Sequence, residues 1–253
     1  MPKITIEEYF KDFNLKDLLV ELGAQNVDFL VKEVNHFTEK EAIKRDEITL
    51  NYFGEEGVER IVNSVSAKLN SMRKPRRTTD ILDIGAGSGF FTTRIASKLQ
   101  RTLPHVLFYA MDATPAMLLA LARKKQQVIP FFGIAENISG NIEKAQEYAA
   151  IPKLFDALFS TLMLHHCPHI DRIFKSVRQV LKPRGKTVII DLCTHSFIEF
   201  REEMGDVHLG FDPEQIERAA GKFFSEVTVE KLPGIHCSSS GRSAELFVAT
   251  LKP

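Results

Sequence analysis

Apolar and polar positions follow two different rhythms along the chain. In roughly the first 75 residues, apolar side chains recur at helical spacing, as in VDFLVKEVNHF and VERIVNSVSAKLN, and no alternating pattern appears. Capping boxes at Thr5–Glu8 and Thr38–Glu41 indicate helix starts. Gly54 and Gly57 indicate a break before the last of these helices. We therefore expect a helical N-terminal segment.

Beyond residue 78, short apolar runs alternate with helical patterns. Five such runs predict buried parallel strands, at 79–84, 106–111, 128–133, 155–163 and in a stretch ending at Asp191. A Lys-Pro-Arg-Gly turn is expected before the fifth strand. The stretches FSEVTVEKLPG and AELFVATLKP alternate and predict two further strands, joined by a polar, flexible loop at 236–242.

The basic stretch 73–77 is expected to be a solvated linker between these two parts. It divides the chain into an N-terminal helical cap or lid, residues 1–77, and an α/β domain, residues 78–253. Tyr52 and Phe53 either line a pocket beneath the cap or join the cap to the domain as core residues, and the core role is slightly favoured. A homodimer through the apolar stripes of these helices is a third alternative.

The strand at 79–84 runs into three glycines on alternate positions, Gly85, Gly87 and Gly89. Glycines allow the backbone to approach a ligand and to adopt φ values that other residues resist. A diphosphate-binding turn needs G-x-G-x-x-G or a small residue at its last position, and Phe90 stands there instead. No lysine follows as in a P-loop. Asp83 suits an amine or a hydroxyl better than a phosphate. A turn without a ligand is the alternative.

Asp112 ends the second strand, where an acid accepts hydrogen bonds from ribose hydroxyls in nucleotide-binding α/β folds. Thr114 and Pro115 predict the start of the next helix, with Thr114 as the cap. Because Thr114 already serves as a cap, the ribose role is favoured for Asp112. Met117 is expected either to pack on an adenine or to be a core residue.

The segment LDIGAGSG, residues 82–89, resembles motif I of class I S-adenosylmethionine-dependent methyltransferases. The resemblance covers about residues 78–253. It implies a seven-stranded, mostly parallel Rossmann-like sheet with helices on both faces, closed by an antiparallel pair of strands. It also implies S-adenosylmethionine as the cofactor. The family writes the turn before strand five as LKPGG, and this chain has Arg184 in place of one glycine.

The same resemblance implies a set of cofactor contacts. Asp83 and the glycine turn would hold the methionine part and the sulfonium side, whereas Ala135 and Glu136 would lie near the adenine, displaced from the family's Asp-Ala. The full expected cofactor set is Asp83, Gly85, Ala86, Gly87, Gly89, Asp112, Ala113, Met117, Ala135, Glu136 and Ser160.

The segment THSFIEFREEMGDVHLGF resembles part of the methyltransferases of the ubiquinone/menaquinone-biosynthesis type, including those grouped with ArsR-like regulators. Its spacing differs from theirs. His195 and His208 are candidate bases because a histidine pKa lies near neutrality. Arg201 is a candidate clamp for a carboxylate or phosphate, and Glu199 a substrate contact. The alternative is a solvated helix with i,i+4 pairs.

The stretch HHCPH follows the fourth strand and contains three histidines and a cysteine. His165 is a candidate catalytic residue and His166 a candidate substrate contact. No acid joins them at ligand spacing, and the family does not need a metal, so none is expected.

The composition argues against several classes of protein. The 253 residues carry 33 basic and 33 acidic side chains, and this balance argues against a dedicated nucleic-acid binder. No apolar run approaches the length of about 20 residues that spans a membrane, and the N-terminus is unlike a signal peptide. Three widely spaced cysteines without a C-x-x-C favour a reduced, cytoplasmic setting.

The predicted function is therefore methyl transfer from S-adenosylmethionine to a small-molecule acceptor, with no nucleic-acid or membrane partner. Three alternatives stay open at this point. One is a methyltransferase acting on a protein or an RNA, and another is a non-catalytic protein that binds the cofactor. The third is an arsenite-type thiol methyltransferase that uses Cys167, Cys193 and Cys237.

Overall fold

The computed structural model describes residues 5–11, 14–25, 27–36, 39–71, 78–103, 105–203 and 205–253. Within these ranges seven strands form one sheet, in the order β3-β2-β1-β4-β5-β7-β6. They are β1 Thr79–Ile84, β2 Val106–Asp112, β3 Val128–Phe132, β4 Phe155–Thr161, β5 Leu181–Leu192, β6 Glu226–Ser239 and β7 Arg242–Lys252. Strands β1 to β5 are mutually parallel, and β7 runs antiparallel to both β5 and β6. The predicted seven-stranded, mostly parallel fold is confirmed.

Ten helices accompany the sheet in the described part of the chain. Four precede it, α1 Ile6–Tyr9, α2 Leu15–Glu21, α3 Val27–His36 and α4 Glu39–Asn70. The others are α5 Phe90–Leu99, α6 Pro115–Arg123, α7 Ile138–Ala145, α8 Ile170–Val180, α9 Phe200–Glu203 and α10 Pro213–Ala220. None of these described helices has the length and apolar character needed to cross a membrane.

Two apolar cores lie on opposite faces of the sheet. One contains side chains of α2, α7, α8 and α10, and the other contains side chains of α4 and α5. Because both faces are covered, β1 is apolar along most of its length, and Ile81, Leu82 and Ile84 are at most 2% exposed. The sheet is therefore buried as the continuous apolar runs predicted.

The N-terminal segment begins with the predicted capping box. The backbone N–H of Thr5 donates to Glu8 Oε2, and the N–H of Glu8 donates to Thr5 Oγ1. Helix α4 bends sharply at Gly54, where φ is 64° and ψ is 168°, so the predicted break lies there, and the helix continues through Gly57. The predicted cap at Thr38, the linker 73–77 and its boundary lie outside the described residues.

One predicted turn and most of one predicted loop are strand instead. The Lys-Pro-Arg-Gly segment lies inside β5, where the pairing with β4 shifts register between Phe155 and Ala157. Four residues of β5 stand opposite one residue of β4 there, so the segment forms a bulge rather than a turn. The expected flexible loop 236–242 is instead strand. His236 to Ser239 pair with β7, and only Ser240 and Gly241, both with positive φ, turn the chain.

The order of the strands locates the functional end of the sheet. From β1 the chain moves to β2 and β3 on one side, and β4 and β5 lie on the other. In such sheets, ligands bind in the crevice beyond the carboxyl ends of the strands at the point where this direction reverses. That point lies between β1 and β4, next to the glycine turn.

Candidate active site

A cavity of about 280 Å³ lies at this reversal point. Its floor comes from the carboxyl ends of β2 and β4 and from the segments that follow β1, β2, β3 and β4, and its roof comes from helices α3 and α4. The floor contributes Gly85 to Ser88, Met111 to Thr114, Gly133 to Glu136 and Thr161 to Met163, and the roof contributes Leu30, Val34, Arg45, Thr49, Tyr52 and Phe53. The cavity lies near the small end of the size range for ligand sites in proteins.

The glycine turn is part of the floor of this cavity. The N–H groups of Gly85 and Ala86 both donate to the carbonyl of Met111, at 2.8 and 3.0 Å, and this ties the turn to β2. A Cβ on Gly85 would lie 2.2 Å from Met163 Cγ, whereas a Cβ on Gly87 would meet nothing within 4 Å. Gly85 is therefore required by close packing, and Gly87 keeps the backbone open to the cavity.

Asp112 holds the same turn from the second strand. Its Oδ2 accepts from the N–H of Gly87 at 2.7 Å, and its Oδ1 accepts from the N–H of Thr114 at 2.8 Å. Burial raises the pKa of this carboxyl, although the two N–H donors act in the opposite direction. The side chain of Thr114 makes no capping bond. Thr114 nevertheless lies at the N-cap position of α6, with Pro115 in the first turn, as predicted.

Three members of the expected cofactor set do not line the cavity. Asp83 is 1% exposed and accepts from Thr92 Oγ1 at 2.6 Å, and burial raises its pKa well above the ordinary value. Ser160 is buried and donates to the carbonyl of Ile84 at 2.8 Å. Gly89 begins α5, where a Cβ would lie 2.3 Å from Leu121 Cδ1. All three residues are buried and make contacts within the chain instead. The other eight line the cavity directly.

His165 is the candidate catalytic residue that the cavity contains. Its Nδ1 lies 2.6 Å from Asp191 Oδ1, and both side chains are buried. Burial by itself lowers the pKa of His165, but the charge and hydrogen bond of Asp191 and the charge of Asp206 together outweigh burial, and the net shift is upward. Asp191 also accepts from the N–H groups of Leu164 and Leu192, each at 2.8 Å. These bonds hold the carboxylate at the end of β5 and orient the imidazole.

His166 lines the cavity beside His165, with the two ring centroids 4.1 Å apart. Its Nδ1 lies 3.2 Å from the carbonyl of Gly205. Burial, followed by the charge of His165, lowers the pKa of His166 to about 3, so it is a neutral ring. Asp206 is next to this pair and is 3% exposed, and burial raises its pKa to about 6.

The other candidates near strand five lie apart from the cavity wall. His195 packs against Phe197 and Phe200, with ring centroids 5.3 and 5.0 Å away. His208 Nε2 lies 3.1 Å from the carbonyl of Cys167. Glu199 precedes α9 and pairs at the surface with Arg242, which is not an i,i+4 partner within a helix. Arg201 is exposed on α9. The proposed catalytic and substrate roles of these four residues receive no support from their positions.

Helix α4 is fastened over the glycine turn by one carboxylate. Asp46 Oδ1 accepts from Ser88 Oγ at 2.5 Å, and Asp46 Oδ2 accepts from Lys124 Nζ at 2.6 Å. Tyr52 and Phe53 line the cavity further along the helix, and Phe53 also packs against Phe91 with ring centroids 6.3 Å apart. Phe53 therefore has both of the predicted roles, because it lines the pocket and is also a core residue that joins the helix to the domain. Leu18 and Leu19 of α2 are buried within the chain, whereas Val20 is exposed, and the dimer expectation stays a prediction.

Sequence reasoning missed Asp191, Asp206 and Arg45. An aspartate in the apolar strand end VIIDL was a usable signal, because a buried carboxylate needs a partner. Asp206 and Arg45 gave no local signal.

The cysteines are free thiols, and Cys167 and Cys237 line the cavity whereas Cys193 does not. The three-cysteine metalloid site is therefore not assembled at the cavity.

Comparisons with known proteins identify a matching domain in the central part of the chain. Residues 82–189 match the family described as a methyltransferase domain. The chain is 26% identical over 117 residues to the ubiquinone/menaquinone biosynthesis C-methyltransferase UbiE of Rickettsia peacockii, which covers 46% of each protein. It is 23% identical over 150 residues to the highly reducing polyketide synthase PKS6 of Gibberella zeae, or 59% of this chain and 6% of that one. The chain therefore spans less than half the length of these curated relatives.

Among solved structures, phosphoethanolamine N-methyltransferase 2 of Haemonchus contortus, in complex with S-adenosyl-L-methionine, superposes with a TM-score of 0.60. The two are 19% identical, and the alignment covers 95% of this chain and 60% of that one. At this identity the likeness concerns the fold. Together with the seven-stranded sheet, it shows that this chain has a Rossmann-like methyltransferase fold, and residues 82–189 of that fold match a methyltransferase domain.

Proposed function

We propose that the chain binds S-adenosylmethionine in this cavity and transfers its methyl group to a small-molecule acceptor. The observation that carries the proposal is the arrangement of the two walls. The glycine turn and Asp112 form one wall, and His165, held by Asp191, lies on another wall of the same cavity.

The residues of the first wall fit a sulfonium nucleoside. Each carboxylate oxygen of Asp112 accepts one N–H bond, at 2.7 and 2.8 Å, so each keeps acceptor capacity for a ribose hydroxyl. The open space at Gly87 lets a ligand approach the backbone. Met117, Ala135 and Glu136 also line the cavity, on the side expected for the adenine. Phe90 follows the turn, so no small residue is present for a pyrophosphate to use.

The roof supports a small acceptor rather than a macromolecule. Leu30 and Val34 of α3 and Tyr52 and Phe53 of α4 cover the cavity with largely apolar side chains. Arg45 adds one cation to this roof. A covered, mostly apolar cavity with a few polar groups is the usual form of a small-molecule site. Methyl transfer to a protein or an RNA would need this roof to open.

When bound, the cofactor supplies a methyl group that is already reactive because it is attached to a sulfonium. The chain then has two tasks. It aligns the acceptor within the cavity, which lowers the entropic part of the barrier. Where the acceptor is protonated, His165 removes the proton. Its Nδ1 bond to Asp191 leaves Nε2 as the nitrogen that takes up this proton, and the Asp191 carboxylate stabilises the resulting imidazolium.

Cofactor binding is tested first, by calorimetry with S-adenosylmethionine, S-adenosylhomocysteine and NAD. We expect both sulfur nucleosides to bind and NAD not to bind. Retention of NAD together with no binding of S-adenosylmethionine would contradict the proposal.

Methyl transfer is tested with tritium-labelled S-adenosylmethionine against small-molecule, protein and RNA fractions. We expect label in the small-molecule fraction. The Asp191→Asn variant is expected to lower kcat by about 10²–10⁴-fold, the usual contribution of general base catalysis, with the cofactor Kd unchanged. Label in protein or RNA alone would overturn the acceptor class. Asp171→Asn, which removes only a surface ion pair with Lys222, is the matched control.

A further inference from the structure

His165, His166 and Asp206 come together at one side of the cavity. One nitrogen or oxygen atom of each lies within 4.8 Å of the others, and His165 Nε2 is 3.6 Å from Asp206 Oδ1. The two histidines line the cavity, as does Gly205 next to Asp206, so an ion can reach the group from the cavity.

Both imidazole rings are oriented through the same nitrogen. His165 Nδ1 is held by Asp191 at 2.6 Å, and His166 Nδ1 lies 3.2 Å from the carbonyl of Gly205. A histidine that donates from Nδ1 to an oxygen has its lone pair on Nε2. Histidines that bind metals in proteins are oriented in this way, by an oxygen on the ring nitrogen that does not bind the metal.

Asp206 supplies an independent observation. Its side chain is 3% exposed, and within the described part of the chain neither carboxylate oxygen has a hydrogen-bond partner. A buried carboxylate is normally paired, hydrogen-bonded or bound to a metal ion. The group therefore has two oriented imidazoles and one buried carboxylate that accepts no hydrogen bond from the described residues.

We propose that His165, His166 and Asp206 bind one divalent first-row transition ion, for which zinc is the probe. Two imidazole nitrogens and one carboxylate suit zinc, iron or cobalt, whereas magnesium and calcium prefer oxygen ligands alone. Two ligands at the usual 2.0–2.1 Å from a tetrahedral zinc ion are roughly 3.3 Å apart. The 3.6 Å between His165 Nε2 and Asp206 Oδ1 is close to that spacing. Three protein ligands leave a coordination position toward the cavity.

This site goes beyond the proposed methyl transfer and has a direct consequence for it. The ion would occupy Nε2 of His165, which is the nitrogen proposed to accept a proton. Metal binding and general base catalysis at His165 therefore exclude each other, and a bound ion is an inhibitor.

The test uses the full chain without a polyhistidine tag, freed of metal with a chelator. Zinc binding is measured by calorimetry and cobalt binding by the visible absorption of the bound ion. We expect one ion per chain. Asp206→Asn and His166→Gln are each expected to weaken zinc binding at least about tenfold. His236→Gln, which changes an exposed histidine on β6, is the matched control and is expected to bind as the unchanged chain does.

Circular dichroism of each variant establishes that it is folded before binding is compared. Absence of zinc binding at millimolar concentration would overturn the proposal. Binding that is equal in the unchanged chain and in both variants would overturn it too. Neither outcome depends on methyl transfer, so failure here is separate from failure of the proposed function.

Discussion

Alanine at Gly85 gives a direct test of how the glycine turn is built, with alanine at Gly87 as its matched partner. Both glycines lie in the same turn and have positive φ, 72° and 54°. An alanine in this conformation costs about 1–2 kcal/mol of backbone energy. It also reduces the entropy of the unfolded chain, which returns about 0.4–1 kcal/mol. Both effects are common to the two variants.

The variants differ in what the new methyl group meets. At position 85 it would lie 2.2 Å from Met163 Cγ and 2.7 Å from Met163 Cβ, atoms so near the backbone that the segment after β4 must move with them. At position 87 nothing lies within 4 Å. Overpacking of this kind costs about 1–3 kcal/mol. We expect the free energy of unfolding of Gly85→Ala to be lower than that of Gly87→Ala by this amount.

The assay is urea denaturation followed by far-ultraviolet circular dichroism, with the slope and the midpoint compared between the two variants. Thermal unfolding gives a second readout, at about 2–4 °C per kcal/mol for a chain of this size. Equal loss of stability in the two variants would refute the reasoning, because backbone strain alone would then explain the glycine at position 85.

Three further predictions concern the cofactor wall, its cover and the thiols. Asp112→Ala is expected to weaken S-adenosylmethionine binding by about 1–3 kcal/mol in calorimetry, since buried acceptors for the ribose are lost; unchanged affinity would contradict the ribose assignment. Asp46→Ala removes the bonds to Ser88 and Lys124 that fasten α4. It is expected to raise the same Kd about two- to tenfold, and a Kd equal to that of the unchanged chain would argue that α4 is held by packing alone. Burial raises the pKa of Cys193 to about 11 and that of Cys237 to about 12. Iodoacetamide at pH 8 is therefore expected to alkylate both at no more than about a hundredth of the rate in urea, and rapid labelling of the folded chain would show that the thiols are not buried.

Local sequence was sufficient to predict the strand, turn and helix that open the α/β domain. Residues 79–99 predicted a buried strand, a glycine turn and a helix, and the structure has β1, the turn and α5 at those positions. The capping box at Thr5 and the bend at Gly54 were equally local. Such features depend on neighbouring residues and on the period of burial, both of which are written in consecutive positions.

The sequence also indicated Asp112 and His165, because each directly follows or ends a predicted strand. The sequence also predicted catalytic and substrate roles in the segment after strand five, but His195, Glu199 and Arg201 lie outside the cavity. The length of the hairpin strands was predicted too short, since the polar residues from His236 to Ser239 pair with β7 through their backbones. Backbone pairing on an edge strand tolerates polar side chains, so composition did not reveal it.

Tertiary structure decided which charges meet. Asp191 reaches His165 because β5 lies beside β4 in the sheet, and the segment after α9 then brings Asp206 to the same histidine. Arg45 joins them from the helical roof. These residues are far apart in the chain, and no local pattern encodes the order in which strands associate. The sequence by itself determined the strand, the three-glycine turn and the helix at residues 79–99. The long-range packing determined which acid orients the candidate base, because a carboxylate acts on a histidine only at the distance that the fold sets.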